Sequence, residues 1–166
     1  MLEPLAQPLH LVLVAPQIPP NTGNVARLCA VTGCKLILVE PLGFSISDRH
    51  LRRAGLDYWD KVFLRLLPSY QAYLEAYPDA RRFLFSSHAS RSLWQARFAP
   101  GDHLVFGSET QGLGPEILTG GSGEPLGIPM LAERRSLNLS TAVGVSAYEA
   151  LRQLLSGSDG QAGPTS

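Results

Sequence analysis

Short apolar runs alternate with segments of helical spacing along the 166-residue chain. Such runs, bounded by Gly, Pro or polar residues, are typical of buried strands. They predict strands over 9–15, 35–41, 61–66, 81–87, 102–109 and 126–131. Apolar residues three and four apart predict helices over 24–33, 47–55, 69–77, 115–120 and 138–155. Strands that alternate with helices indicate an α/β fold with a mostly parallel sheet.

The last predicted helix and the segments beside it define the limits of the domain. The apolar residues of this helix form one stripe, at Leu139, Val143, Ala147, Leu151 and Leu154. Small polar residues dominate 120–125 and 156–166, which predicts a flexible loop and a disordered tail. We therefore expect a single domain over 1–155, a length that can bury a core.

The composition excludes a disordered chain, because 45% of the residues are hydrophobic and only 17% are charged. Lys and Arg together number 14, as do Asp and Glu, so the net charge is zero. A neutral chain argues against a broad basic surface for nucleic acid but allows a local one. No apolar run is long enough for a membrane span, and the first residues do not resemble a cleavable leader. These features predict a cytoplasmic protein with no membrane partner.

The cysteines and histidines do not form a pattern that predicts a metal site. Cys29 and Cys34 have no histidine nearby in the sequence, and we interpret both as core thiols. The four histidines are scattered without the spacing of metal ligands, and we interpret each as structural or surface-exposed. They are His10, His50, His88 and His103.

The first segment with candidate chemistry is PQIPPNTGNVARLCAVTG (16–33), which follows an apolar strand. A strand, a turn with Gly and a helix start together suit an anion. The segment lacks the Lys-Ser/Thr pair of a nucleotide-phosphate loop and the Gly triplet of a dinucleotide site. Its remaining candidates are Asn21, Asn24 and Arg27, of which Asn24 and Arg27 share one helix face. The alternative is a helix capped by Asn or Thr, with a solvated arginine.

The second segment, LVFGSETQGLGPEIL (104–118), is an apolar strand that enters a Gly-rich turn. Gly107 would let a ligand approach the backbone closely. Glu109, at the strand end, could hold a substrate group or orient Arg27. The alternative is a simple turn with a solvated glutamate.

The third segment (128–153) crowds polar residues at the start of the last helix. They are Arg134, Arg135, Ser136, Asn138 and Ser140. Ser136 and Asn138 could each be a simple helix cap. A purely structural role explains any one of these residues more readily than it explains the whole cluster.

Together the three segments resemble the three motifs of SPOUT-class RNA 2′-O-methyltransferases. The matching residues are N-x-G-N-x-x-R (21–27), LVFGSET-x-GL (104–113) and IPM-x-x-x-x-x-SLNLS-x-AV (128–143). Two further stretches, PQIPPNTGN (16–24) and LRRAGLDYW (51–59), are similar to hallmarks of one small branch. That branch methylates the wobble nucleotide, position 34, of tRNA. The resemblance extends from Leu9 to Leu154.

The resemblance implies a parallel-sheet SPOUT fold whose C-terminal part forms a deep trefoil knot, and a homodimer. It also implies that S-adenosylmethionine is the methyl donor and binds in the loops of the knot. By position, the implied cofactor contacts are Phe85, Ser86, Gly107, Ile128, Met130, Ser136 and Leu139. No metal is expected, because the sulfonium group already makes a good leaving group.

The implied reaction methylates the ribose 2′-OH of the wobble pyrimidine in the tRNA anticodon loop, with leucine tRNAs as the expected substrates. The residues implied in catalysis are Asn24, Arg27, Glu109, Ser136 and Asn138. Since the pKa of arginine lies above 12, we expect Arg27 to position and polarise the hydroxyl. A neighbouring phosphate or Glu109 would then share the proton.

The predicted RNA contacts follow the second hallmark stretch. Arginines beside aromatic residues suit an anticodon loop, with guanidinium groups on phosphate and a ring stacked on a base. The candidates are Arg49, Arg52, Arg53, Tyr58 and, on the last helix, Tyr148. The alternative is that neighbouring Trp59 belongs to the core and the arginines are solvated. Tyr148 could also lie in the core or at the dimer interface.

Two other functions remain open on the same fold. The first is a SPOUT methyltransferase that modifies another tRNA or ribosomal RNA position. The second is a non-catalytic RNA-binding module. The intact set of candidate catalytic residues favours an enzyme over the binding module.

Overall fold

The computed structural model describes residues 3–46, 64–131 and 136–156. Its strands are β1 (His10–Val14), β2 (Lys35–Val39), β3 (Leu64–Leu67), β4 (Arg82–Phe85), β5 (His103–Phe106) and β6 (Glu124–Leu126). Its helices are α1 (Pro19–Thr32), α2 (Tyr70–Ala76), α3 (Pro115–Thr119) and α4 (Leu139–Ser156). A short 3₁₀ helix spans Leu93–Gln95.

The six strands form one sheet in the order β3-β2-β1-β5-β4-β6, and every pairing is parallel. Leu11 and Leu13 pack into the core on one face, and Val12 packs on the other. Burial on both faces explains why these strands read as continuous apolar runs. The α/β prediction is therefore confirmed. The strand order reverses between β1 and β5, and ligands of such sheets bind outside the carboxyl ends near this point.

Helix α1 begins at Pro19, earlier than the predicted residue 24. Proline fits the first helical position because its fixed φ suits a helix and it has no N–H to leave unpaired. The residue before it, Ile18, makes no side-chain cap. The expectation that Asn or Thr caps this helix is therefore wrong.

The prediction of a strand over 126–131 is also wrong, because β6 spans Glu124–Leu126. It pairs only with β4, as an edge strand, and an edge tolerates Pro125. The predicted flexible loop over 120–125 therefore gives its last two residues to the sheet. The predicted helix over 47–55 and residues 61–63 of the predicted third strand lie outside the described residues.

Helix α4 matches its predicted span closely. The predicted stripe residues Leu139, Val143, Ala147 and Leu151 are buried, and Leu154 packs against the same core. The two cysteines are also buried, and burial raises the pKa of both thiols. Their prediction as core thiols is confirmed.

The described ranges hold neither a membrane-spanning helix nor a cluster of metal ligands. Within 3–46, 64–131 and 136–156, no helix combines the length and apolarity needed to cross a membrane. Over the same ranges, no cluster of three or more His, Cys, Asp or Glu side chains is arranged to hold a metal ion.

Two stacked histidines lie at the amino ends of β1 and β5. His10 and His103 are paired in register, and their ring centroids are 4.2 Å apart. Tyr73 Oη lies 2.7 Å from His103 Nδ1. Burial, helped by the charge of Lys35, lowers the pKa of His10 to about 4. Burial is the largest cause that lowers the pKa of His103 to about 3, and electrostatic interactions with His10 and Arg82 also contribute. Both rings are therefore neutral in the folded protein near neutral pH.

This pair predicts that the protein loses stability in mild acid. The unfolded histidines titrate near pH ~6.5, so below that pH the unfolded chain binds protons that the folded chain does not. The free energy of unfolding should therefore fall from about pH 6.5 towards about pH 4 for His10 and about pH 3 for His103. Urea unfolding at several pH values in this window measures the slope. The His10→Phe variant keeps a stacking ring and should reduce the slope, whereas His88→Gln should not. An unchanged slope in His10→Phe would contradict this assignment.

Candidate functional site

A cavity of about 390 Å³ lies at the carboxyl ends of β4, β5 and β6. The loops after these strands and the start of α4 form its walls. All seven predicted cofactor contacts line it, namely Phe85, Ser86, Gly107, Ile128, Met130, Ser136 and Leu139. The volume is within the range of small-molecule sites, roughly 300–1,000 Å³. The structure thus brings together residues from three distant parts of the chain.

The loop after β5 can form this wall only because residue 107 is glycine. A Cβ on Gly107 would lie 1.9 Å from the carbonyl carbon of Gly112. The loop therefore folds back on itself, and Gly112 N donates a hydrogen bond to Ser108 O at 2.9 Å. Gly112 has a φ of 65°, a conformation that glycine adopts without strain. The Gly-rich turn therefore adopts one defined backbone conformation.

Glu109 leaves this loop and caps the distant helix α1. Its carboxylate accepts hydrogen bonds from Gln17 N at 2.8 Å, Ile18 N at 3.1 Å and Asn21 Nδ2 at 3.0 Å. The start of a helix carries unpaired N–H groups and a partial positive charge, so a carboxylate stabilises it. The alternative of a solvated glutamate is therefore wrong.

Asn138 caps α4 and joins it to α1. Its Oδ1 accepts hydrogen bonds from Ser140 N at 2.9 Å and Ser140 Oγ at 2.8 Å. Its Nδ2 donates to Asn21 Oδ1 at 3.0 Å. The side chains of Glu109, Asn21 and Asn138 therefore form one hydrogen-bonded chain, which we call the motif bridge. Each of the three sequence segments contributes one member.

The motif bridge predicts a stability cost for Glu109→Gln. The glutamine amide can accept hydrogen bonds only through its oxygen. The substitution also removes the negative charge that stabilises the start of α1. We expect the free energy of unfolding to fall by about 1.5–3 kcal/mol, the range for hydrogen bonds to a charged group. Urea unfolding measures this. The control Glu75→Gln changes an exposed glutamate on α2 and should alter stability by less than about 0.5 kcal/mol. Equal stability of both variants would contradict the capping role.

The predicted catalytic residues divide into two groups. Glu109 and Ser136 line the cavity, and Asn138 lies beside it in the motif bridge. Asn24 and Arg27 are exposed on α1 and are not among the residues that line the cavity. Arg27 lies about 13 Å along the helix axis from Ile18, at ~1.5 Å per residue. Within one chain, Arg27 is therefore remote from the end of α1 that Glu109 caps.

The predicted RNA contacts are only partly within the described residues. Tyr148 lies on α4 with 51% of its surface exposed, and it does not line the cavity. Its placement in the core is excluded by this exposure. Arg49, Arg52, Arg53 and Tyr58 lie outside the described residues, as does Trp59.

The sequence does not reveal the roles of two residues near the cavity. Asn21 is a candidate in the sequence without a predicted role, and the structure makes it the middle member of the motif bridge. His88 is exposed, as predicted, but it also lines the cavity beside Ser86. Its position directly after the strand end FLFSS was the available signal, because such ends meet at the ligand-binding edge of a parallel sheet.

The fold and cavity define an α/β protein with a ligand site at the carboxyl edge of a parallel sheet. The model of the SpoU rRNA methylase family matches residues 8–148, and the chain belongs to that family. The resemblance to SPOUT-class methyltransferases is therefore confirmed.

Individual relatives agree with this assignment. A tRNA (cytidine(34)-2′-O)-methyltransferase of Polaromonas sp. is 50% identical over 147 residues, which cover 87% of this chain and 90% of the relative. A solved structure concerning the 2-OH methylation of C/U34 on tRNA is 54% identical with a TM-score of 0.86 and covers 91% of this chain and 98% of its own. An AdoMet-bound rRNA methyltransferase from Sinorhizobium meliloti shares the fold, with a TM-score of 0.79 at 21% identity, over 92% and 59% of the two chains.

Proposed function

We propose that this protein transfers a methyl group from S-adenosylmethionine to the ribose 2′-OH of the wobble pyrimidine, nucleotide 34, of tRNA. The observation that carries the proposal is the convergence of all seven predicted cofactor contacts on one cavity. Relatives about half identical over most of the chain are methyltransferases of cytidine 34 in tRNA. We further propose leucine tRNAs as substrates, which rests on the sequence resemblance alone.

The cavity suits S-adenosylmethionine in both shape and charge. Leu113, Ile128 and Ala142 supply apolar wall for an adenine, and Ser86 and Ser136 supply polar groups. The starts of α1 and α4 are already capped by side chains of the chain itself, so they do not offer a free anion site. The carboxylate of Glu109 at the wall favours a cation over a phosphate. When bound, the cofactor supplies an electrophilic methyl group on a sulfonium.

The candidate catalytic residues take different roles in this proposal. Ser136, on the cavity wall, holds the ribose of the target nucleotide. Glu109 and Asn138 fix the loops around it through the motif bridge. Asn24 and Arg27 present an amide and a guanidinium to the RNA, and the guanidinium polarises the 2′-OH or holds its flanking phosphate.

We propose a homodimer because Arg27 does not line the cavity of its own chain. Helices α1 and α4 pack against each other, and both carry exposed apolar residues, Val31, Val145 and Tyr148. A second copy seated on this face would cover them and bring its α1 towards the first copy. Arg27 and Asn24 are exposed on the same helix. Sedimentation of the free protein tests the dimer.

The remaining features follow from the family assignment. We propose the C-terminal trefoil knot of SPOUT proteins, with residues 1–155 as one domain and 156–166 as a tail. The proposed tRNA substrate places the protein in the cytoplasm. The predicted RNA contacts Arg49, Arg52, Arg53, Tyr58 and Tyr148 remain proposals of the same kind.

Methylation mapping tests the function directly. The protein is incubated with labelled S-adenosylmethionine and tRNA from a strain that lacks the activity, and modified nucleotides are mapped. We expect label on the ribose of nucleotide 34 and none on tRNA that already carries a 2′-O-methyl group there. Label at another tRNA position, or on ribosomal RNA, would reject the substrate. Binding without any transfer would support the non-catalytic module.

A further inference from the structure

Trp94 is a large aromatic residue that the fold leaves exposed. It lies on the 3₁₀ helix Leu93–Gln95, and 69% of its surface is accessible. An open groove of about 420 Å³ adjoins it, between this helix and the end of α4. The groove is lined by Trp94, Arg97, Phe98, Arg152, Gln153 and Ser156. None of these residues has a role in the proposed active site.

The exposure of Trp94 is not a result of loose local structure. Ser92 Oγ accepts a hydrogen bond from Trp94 N at 3.2 Å, and Gln95 Oε1 accepts one from Ser92 N at 3.0 Å. The neighbouring Leu93 is fully buried. From α4, Gln153 accepts a hydrogen bond from Phe98 N at 3.1 Å, fixing the segment that follows. The backbone that carries the indole is therefore fixed by hydrogen bonds.

The surface around Trp94 is positively charged. Arg97 is exposed, and 64% of the Arg152 side chain is exposed. Glu149 accepts two hydrogen bonds from Arg152 and one from Gln153. Hydrogen bonding by Arg152 lowers the pKa of Glu149, which keeps this carboxylate ionised. Because Arg97 and Arg152 are cationic and Glu149 is anionic, these three groups leave an excess of one positive charge beside the indole.

This surface is attached directly to the wall of the cavity. Leu93 N donates to Gly127 O at 2.8 Å, and Gly127 N donates to Arg91 O at 2.8 Å. The residue after Gly127, Ile128, lines the cavity. A substrate much larger than a nucleotide could therefore reach both the cavity and Trp94.

We propose that Trp94, Arg97 and Arg152 form a second contact site for the tRNA substrate, which we call the indole site. The indole stacks on an unpaired base, and the guanidinium groups bind its flanking phosphates. This deepens the proposed function and rests on it. A charged surface with a single exposed aromatic side chain suits RNA better than a second copy of the chain. The exposed apolar face of α1 and α4 is the better candidate for that role.

The test compares variants of Trp94 in binding to tRNA. Trp94→Ala should weaken tRNA binding about five-fold or more, since stacking on one base contributes at least that much. Trp94→Phe keeps an aromatic face and should bind within about two-fold of the wild type. The control Leu66→Ala removes an exposed apolar side chain from β3 and should have no effect. Arg97→Gln should reduce the slope of log Kd against log salt by about 0.7–0.9, the loss of one phosphate contact.

The possible failures are distinguishable. If the wild type methylates tRNA and Trp94→Ala binds it equally well, the indole site is rejected while the proposed function stands. If Trp94→Ala instead weakens self-association with tRNA affinity unchanged, the surface binds a second copy and the indole site is rejected. If the wild type neither binds nor methylates tRNA, the proposed function is rejected, and the indole site is rejected with it. Unfolding curves of the two Trp94 variants confirm that both are folded.

Discussion

Replacing Arg27 with alanine is expected to lower kcat for ribose methylation by about 100- to 1,000-fold, the usual effect of removing one charge-stabilising group. The affinity for S-adenosylmethionine should stay within about two-fold, because Arg27 does not line the cavity. The expected loss of kcat has a physical reason. The ribose hydroxyl oxygen develops negative charge as it attacks, and we expect the guanidinium to stabilise this charge or to hold the neighbouring phosphate. Single-turnover kinetics with saturating tRNA, together with calorimetric titration of the cofactor, separate the two effects.

Two further variants make this result specific. Arg27→Lys keeps the charge but loses the planar donor pair, so it should retain part of the activity. Arg65→Ala removes an exposed arginine from the far edge strand β3 and should leave kcat unchanged. Full turnover by Arg27→Ala would exclude a catalytic role for this residue. Cofactor affinity lost together with turnover would place Arg27 in cofactor binding instead.

Replacing Gly107 with alanine is expected to abolish cofactor binding and to destabilise the fold by about 3 kcal/mol or more, at the upper end of overpacking effects. The added Cβ would lie 1.9 Å from Gly112 C and 2.1 Å from Leu113 N. Both are backbone atoms and cannot move aside by a change of rotamer. The loop after β5 would have to open, and the cavity wall would move with it.

The matched control is Gly144→Ala on α4, where an added Cβ meets no atom within 4 Å. This variant should be neutral or more stable by up to about 1 kcal/mol, because alanine favours a helix over glycine. Chemical unfolding and cofactor titration are measured on both proteins. A stable Gly107→Ala variant that binds cofactor normally would show that the loop does not need its observed close approach.

The elements that could be predicted from sequence are those specified locally. The core strands are read from continuous apolar runs, and α4 from its stripe from Leu139 to Leu154. Proline at position 19 is a local signal for the start of α1, but the cap of this helix could not be predicted locally, because the capping carboxylate belongs to Glu109, 91 residues from Ile18. Strand β6 was misplaced for a related reason. Its pairing with β4, and not its own composition, selects Glu124–Leu126.

The residues of the candidate site show the same difference between local signals and contacts with distant parts of the chain. The seven predicted cofactor contacts follow from motif resemblance, and they meet in one cavity because parallel strands end at a common edge of the sheet. The role of Asn21 could not be found, because its partners lie 88 residues away at Glu109 and 117 residues away at Asn138. Nor could sequence show that Asn24 and Arg27 do not line the cavity, since that depends on how α1 packs in the folded chain.

The motif bridge also has a consequence for the order of folding. Contacts between residues so distant in sequence require long loops to close, so they form late and slow the search for the native state. During synthesis, α1 leaves the ribosome long before Glu109 and Asn138 exist to secure it. The first strands and helices can collapse together earlier, but the ligand pocket cannot take shape until the last helix has been made. Assembly of the binding site therefore waits for the synthesis of α4.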